Sequence, residues 1–369
     1  MSKLFIAAAG AGKTTFLIKS AFCKSLTASK KILITTFTDA NTLEIKKRMF
    51  SVYGAIPPQI DILPWFTFLL REGARPYQRF KLQERINGVC LINGQSTKRI
   101  PETSRDYYVT RRNDIYSNKL AEFVYKLNDA SANLSFKRLK NLYSAIYIDE
   151  IQDMTGYDFE IIRLLHNMGV DMIMAGDLRQ AIGPNHSSQK NKKFFGHFDD
   201  YIQTNKVDID IDYDSLNHTY RNNLQICAFA NKFYPQMRPC TSTNFLQTGH
   251  DGIFIVKVSQ INDYYNAYHP VILRNDKKSE KYISSLANPT IYNFGQSKGL
   301  EFDRVLIYPT NELLKWVVDS SYNLKPQTRA KSYVAVTRAK FSVAILVEDK
   351  KADKISKSSG IKLWVQDKN

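Results

Sequence analysis

A lysine behind a turn of small residues, two adjacent carboxylates and two distant arginines are the side chains whose types and spacing could do chemistry. The first lies in Ala7-Ala8-Ala9-Gly10-Ala11-Gly12-Lys13-Thr14-Thr15. Small residues there let backbone N–H groups turn inward around an anion, and a following helix adds the partial positive charge of its start. Lys13 can then reach the outer phosphates of a nucleotide, and the Thr14 hydroxyl can hold Mg²⁺. The carboxylates are Asp149 and Glu150, at the end of the apolar run Tyr143–Ile148. Adjacent acids at the end of a buried strand are costly without cationic company, which a magnesium-nucleotide supplies. Asp149 would hold the metal, and Glu150 would orient and deprotonate an attacking water. Gln180, in Gly176-Asp177-Leu178-Arg179-Gln180, can reach a γ-phosphate or its water. Arg221 and Arg338 lie far along the chain, each beside a helical pattern. Arginines supplied by a second domain can neutralise charge on a transferring phosphoryl group.

The elements that must position these groups follow from pattern. Leu4-Phe5-Ile6 reads as a strand and Phe16–Phe22 as a helix on either side of the glycine turn. Lys31–Thr36 is a β-rich run followed by Phe37-Thr38 and a helical pattern. In an open parallel sheet, ligands collect at the carboxyl ends of strands, so Phe37 and Thr38 could touch a nucleic-acid strand or could simply form a turn with a buried ring. Further strands are read at 143–148, 170–175, 253–258, 270–274, 304–308 and 343–347. The alternation implies an α/β fold built on parallel sheets flanked by helices. Residues 75–140 break it. They are rich in Arg and Lys with Tyr77, Tyr107, Tyr108 and Tyr116 interleaved, and read as a mostly helical insertion. That insertion is either a surface for base stacking and phosphate contacts or a solvated face over core tyrosines.

Composition bounds the possibilities. The chain has 369 residues, 43% of them hydrophobic, and a formal net charge of +17. A surplus that large points to a polyanion such as nucleic acid, with a lysine-rich surface as the plain alternative. Cys23, Cys90, Cys227 and Cys240 show no metal-type pairing, which suits a reducing compartment and a cytoplasmic location. No apolar run is long enough to span a bilayer, and the first apolar residues enter the glycine turn without a leader-type cleavage site.

Taken in order, AAAGAGKTT, TTFTDANTLEIKKR, WFTFLLR, YIDEIQD, AGDLRQAI, NHTYRNN with FAN, ILRND, SKGLEFD and YVAVTRAK make a recognisable set. It resembles the UvrD/Rep/PcrA-like superfamily 1 DNA helicases, over residues 4 to about 347. The resemblance implies two RecA-like P-loop NTPase domains, with ATP and Mg²⁺ in the cleft between them and single-stranded or tailed DNA across their top. It implies a first domain at 1–74 and 141–212, a small helical insertion at 75–140, a second domain at 213–347 and a lysine-rich tail at 348–369. By residue, it implies Ala9, Gly10, Ala11, Gly12, Lys13, Thr14 and Thr15 around the phosphates, with Thr14 and Asp149 on the metal. Glu150 is then the base, Gln180 the γ-phosphate sensor, and Arg221 and Arg338 the phosphate arginines. Tyr220 stacks on adenine, Gly299 and Glu301 meet the nucleotide, and Phe37, Thr38, Thr67 and His186 contact DNA. The implied activity is ATP-driven movement on single-stranded DNA, usually 3′ to 5′.

The sequence also departs from that pattern. No glutamine-containing adenine motif occupies the six residues before Ala7. Gly183-Pro184-Asn185-His186 stands where the family places DNA-stacking aromatics. Asn293-Phe294-Gly295 replaces a Thr-x-His element, and only about 58 residues separate Asn231 from Thr290, so the second-domain insertion is nearly gone. These features keep a second expectation open: a nucleotide-sensing, helicase-like subunit of a larger assembly. Its partner would be a nuclease or a replication or repair factor, as in Gabija-like anti-phage defence.

Overall fold

The computed structural model describes residues 2–92, 94–183, 188–276 and 281–366. His186 lies outside them. In chain order the first part contains β1 (Lys3–Ile6), α1 (Lys13–Ser25), β2 (Lys31–Thr36), α2 (Asp39–Tyr53), β3 (Ile60–Pro64) and α3 (Trp65–Phe68). Next come the short β4 (Val89–Cys90) and β5 (Ile115–Tyr116), then α4 (Ser117–Ala130), α5 (Leu134–Leu142), β6 (Tyr143–Asp149), α6 (Tyr157–Asn167), β7 (Asp171–Gly176), α7 (Phe198–Thr204) and β8 (Asp210–Asp212). The second part contains β9 (His218–Asn223), α8 (Leu224–Asn231), β10 (Thr241–Asn244), β11 (Gly252–Lys257), α9 (Ile261–Tyr268), β12 (Val271–Arg274) and β13 (Ile291–Asn293). It closes with β14 (Phe302–Ile307), α10 (Asn311–Val318), α11 (Pro326–Thr337), β15 (Ala339–Val347), α12 (Asp349–Ser359) and β16 (Lys362–Leu363).

By packing, the chain divides into two compact α/β units: Met1–Ile6 with Lys13–Asp214, and Ala7–Gly12 with Ser215–Asn369. The first unit is a six-stranded sheet in the order β3-β2-β6-β7-β1-β8, every neighbouring pair parallel. Ile32, Leu33, Ile34, Ile148, Met172 and Met174 have no exposed surface. Such unbroken apolar runs are what a parallel sheet covered on both faces requires. β7 lies between β1 and β6, so the carboxyl ends of these three strands are neighbours, with Ile6 opposite Gly176 and Asp149 opposite Ala175.

The second unit holds another all-parallel sheet, β13-β12-β14-β15-β11-β16. One apolar cluster, including Ile226, Phe233, Trp316, Tyr333 and Val343, fills one face. Another, including Ile261, Tyr264, Ile272, Leu306 and Trp364, fills the other. Two α/β units, each built on a six-stranded parallel sheet flanked by helices, are thus present.

Two details differ from the sequence expectation and a third fills it in. The glycine turn Ala7–Gly12 packs with the second unit, because Ala8 N–H donates to the Leu216 carbonyl at 2.9 Å and Tyr220 N–H to the Gly10 carbonyl at 3.0 Å. The insertion is α-helical only from Ser117 onward, with short 3₁₀ turns at Gln78–Phe80 and Arg105–Tyr107 before it. Before it, the left-handed Gly94 and Asn113 and the turn begun at Pro101 break any helical period. The lysine-rich tail is ordered into α12 and β16 over residues 349–363, with Ala352, Ile355 and Trp364 buried.

Candidate nucleotide and strand-contact site

In the first unit the chemistry-bearing groups gather where β1, β6 and β7 end. Gly10 and Gly12 have φ of 74° and 77°, left-handed values that glycine adopts at little cost and that let the chain turn sharply into α1. Lys13 opens α1 and is 8% exposed. The next residue's hydroxyl, Thr14 Oγ1, donates to Asp149 Oδ2 at 2.6 Å. Asp149 is 3% exposed. Burial pushes its carboxyl well above the usual range and the Glu150 charge adds to the rise, while Thr14 and Lys13 act against it.

Glu150 has φ of 57°, an uncommon conformation for a side chain with a Cβ. Its N–H donates to Asp149 Oδ1 at 3.0 Å, and its Oε2 accepts from Gln152 Nε2. Gln152 was not among the residues picked out from sequence, yet it joins two strand ends. Its Oε1 also accepts from the Asp177 N–H at 3.2 Å. A Cβ at Gly176 would collide with Gln152 Oε1 and Ile151 Cγ2, which is why glycine stands at the end of β7. Asp177 has no exposed surface and accepts from Gln180 Nε2 at 2.9 Å and Arg179 N–H at 3.1 Å. Lys13, Thr14, Asp149, Glu150 and Gln180 are therefore brought to one edge of this sheet. Thr15 is on the exposed side of α1.

Phe37 and Thr38 follow β2, and Phe66 and Thr67 follow β3, so neighbouring strands place them side by side. The Phe37 and Phe66 rings meet edge-on at 4.9 Å. Thr38 Oγ1 caps α2 by accepting from Asn41 N–H at 3.1 Å. Thr38 and Thr67 are exposed.

The second unit carries the arginines. Arg221 Nε donates to Glu301 Oε2 at 3.1 Å, and one of its terminal nitrogens donates to the Thr337 carbonyl at 3.3 Å. Burial raises the Glu301 carboxyl, but Arg221 and Lys340 outweigh that and hold it below its ordinary value. Arg338 is buried. It donates through Nε to the Val334 carbonyl at 3.2 Å and through a terminal nitrogen to the Leu300 carbonyl at 3.0 Å. Phe302 N–H returns to the Arg338 carbonyl at 2.9 Å, so the turn at Gly299, whose φ is 86°, is stitched to the end of α11.

Asn222 Nδ2 donates to the Thr337 and Ala339 carbonyls, and Asn223 Nδ2 to that of Phe341. These amides, also missed from sequence, tie β9 to the Arg338 segment. Tyr220 is 63% exposed, with its ring against His218. Ala9 and Ala11 are buried, and a Cβ on Gly10 would come within 2.6 Å of Arg221 Cβ and Thr219 Oγ1.

The half-buried Thr14 hydroxyl beside the buried Asp149 carboxylate suits Mg²⁺, which takes oxygen ligands and few of them from protein. Among the described residues no helix is long and apolar enough to cross a membrane.

No protein-family model matches the chain, and no curated protein matches it. Among solved structures it is similar to arterivirus nonstructural protein 10, a helicase, at 13% identity with a TM-score of 0.46, covering 96% of this chain and 61% of that one. The same helicase in complex with DNA gives 12% identity and a TM-score of 0.45, over 97% and 62% of the two chains. The PRRSV helicase gives 14% and 0.46, over 100% and 64%. The chain thus spans under two thirds of the length of each.

Proposed function

We propose that this protein is a compact UvrD/Rep/PcrA-like superfamily 1 motor that hydrolyses ATP and moves 3′ to 5′ on single-stranded DNA. The observation that carries the reading is the 2.6 Å bond from Thr14 to the buried Asp149, with Glu150 and Gln180 on the same sheet edge. A hydroxyl, a buried carboxylate, a second carboxylate and an amide are the parts a phosphoryl-transfer site needs.

In this reading Lys13 neutralises the outer phosphates. Thr14 and Asp149 would hold Mg²⁺, which would supply positive charge against the charge that develops on the phosphates. Glu150 accepts a proton from the attacking water, and Gln152, bonded to the Glu150 carboxylate, fixes where that proton lands. Gln180 orients the water. Arg221 and Arg338 neutralise charge on the departing γ-phosphoryl group. Tyr220 and Glu301 take the base and ribose, and Phe37, Thr38 and Thr67 contact the strand. The surplus of positive charge, +17 for the whole chain, supports a polyanion track.

The test is strand displacement on duplexes with a 3′ or a 5′ single-stranded tail. Unwinding with ATP from the 3′ tail alone is expected. Unwinding from the 5′ tail, or equal activity without nucleotide, contradicts the proposal.

A further inference from the structure

Where the insertion meets α6, the first unit has a cavity of about 290 Å³ that the nucleotide chemistry does not use. Its floor is a charge network around Glu122, which is 9% exposed. The Glu122 carboxylate accepts from Lys119 at 3.3 Å, from Lys126 at 3.1 Å and from the Tyr107 hydroxyl at 3.2 Å. Lys126 also pairs with Glu102, so Glu122 is shared between two ammonium groups. The Lys119 ammonium sits 3.5 Å from the centre of the Tyr107 ring.

Lys98 and Lys190 stand on the walls, both exposed. Lys190 is 3.9 Å from Glu160, which Arg163 already pairs at 2.8 Å. Three lysines therefore line a space with one carboxylate, itself already shared. Most of the remaining lining is amide, hydroxyl and phenol, from Gln95, Asn118, Gln189, Thr97, Ser188 and Tyr157, with Ile100 as its one aliphatic side chain. Ammonium groups for a phosphate, amides for a base edge and a tyrosine face for a ring are the chemistry of one nucleotide. The volume, near the lower end for small-molecule sites, suits a single such unit.

The position matters as much as the lining. Tyr157 opens α6, a few residues after Glu150. Ser188–Lys190 continue the segment that leaves Gln180. Asn191 Nδ2 joins the two, donating to the Gly156 carbonyl at 3.1 Å and to Glu160 Oε1 at 2.8 Å. A strand held in this cavity would bear on the continuations of both segments that carry the proposed water-handling groups.

We infer that this cavity grips one nucleotide of a single-stranded nucleic acid, with Lys98, Lys119 and Lys190 on its phosphates and Tyr157 against its base. The inference names the strand contact of the proposed motor and so rests on that reading. The test measures equilibrium binding of a fluorescent oligothymidylate to the full chain, without nucleotide, across a salt series. The wild type is compared with Lys98→Ala/Lys190→Ala and with Lys354→Ala/Lys357→Ala, which removes two exposed charges on α12. The cavity variant should bind about tenfold or more weakly, with its salt slope smaller by roughly two. The α12 variant should bind as the wild type does. A 4-thiothymidine oligomer should cross-link to the peptides carrying Tyr107 or Tyr157. Equal binding by the wild type and the cavity variant, equal weakening by both variants, or cross-links confined elsewhere would overturn the inference. ATP turnover by the wild type is measured alongside. If the chain hydrolyses no ATP while the cavity variant still loses binding, the motor reading fails and the strand contact stands.

Discussion

The charged clusters of the two units are held by different kinds of partner. In the first, the groups bond to one another through side chains: Thr14 to Asp149, Gln152 to Glu150, Gln180 to Asp177. All but Thr14 and Glu150 are buried, and Glu150 is kept in a left-handed conformation by its neighbours. In the second, the guanidinium groups reach largely for main-chain carbonyls, those of Thr337, Val334 and Leu300, and Arg221 adds the half-exposed Glu301. A side-chain network of this kind fixes geometry before substrate arrives. Arginines on carbonyls can trade those bonds for stronger, charge-assisted ones to an anion. In the proposed mechanism, water handling falls to the set bonded side chain to side chain and charge neutralisation to the set bonded mainly to main-chain carbonyls.

Substitutions can break or sharpen that contrast, from the strongest effect downward. Glu150→Gln should lower ATP turnover by about 10³-fold or more while nucleotide still binds; turnover within tenfold of wild type would remove Glu150 as the base. Arg221→Ala should lower kcat by about 10²-fold or more with a smaller change in KM, since the charge it neutralises develops in the transition state. A rise in KM alone would mean that Arg221 only binds ground-state nucleotide.

Gln152→Ala should act as the loss of a positioning residue. Turnover should fall by roughly tenfold and the pH–rate profile of kcat should move, because Glu150 loses a donor to its carboxylate. The buried Asp177 N–H also loses its partner, which should cost about 1–3 kcal/mol of stability by denaturant titration. An unmoved pH profile would reduce Gln152 to a structural link.

The second unit offers a pH test that touches neither cluster. His250 is stacked between Phe254 and Tyr268, at 4.1 Å and 3.7 Å, and bonded to the Tyr264 hydroxyl at 3.0 Å. Burial, helped by Arg304, lowers its pKa to about 4, with Asp251 acting weakly the other way. Below the unfolded value of about 6.5 the unfolded chain takes up a proton that the folded ring refuses. Its contribution is therefore complete above about pH 6.5 and is lost as pH falls toward 4, by no more than about 3 kcal/mol. His250→Phe should flatten that part of the stability curve, and an unchanged slope would contradict the assignment. The smallest effect belongs to Thr38→Ala, which removes a helix cap and should cost about 1 kcal/mol. If Thr38 also meets the strand, oligonucleotide affinity should fall with it.

What could be read from sequence follows the same contrast. Lys13, Thr14, Asp149 and Glu150 stand at fixed offsets from strands whose apolar runs are unbroken, so pattern alone located them. Gln152 could not be found that way, since an amide in a turn carries no periodic signal and its two partners belong to separate strand ends. Asn222 and Asn223 were quoted within a motif, but their bonds to Thr337, Ala339 and Phe341 span more than a hundred residues. The lysines of 350–357 hid α12, because only Ala352 and Ile355 mark its buried side. The packing of Ala7–Gly12 with Leu216 and Tyr220 is a long-range hydrogen-bonding outcome that no local rule states.

The most direct test of the account is steady-state ATP hydrolysis by the purified chain, with and without single-stranded oligonucleotide, at low and moderate salt. The account predicts slow turnover alone and a rise of tenfold or more on adding the strand, with the rise fading as salt increases. Turnover that is the same with and without the strand would contradict it.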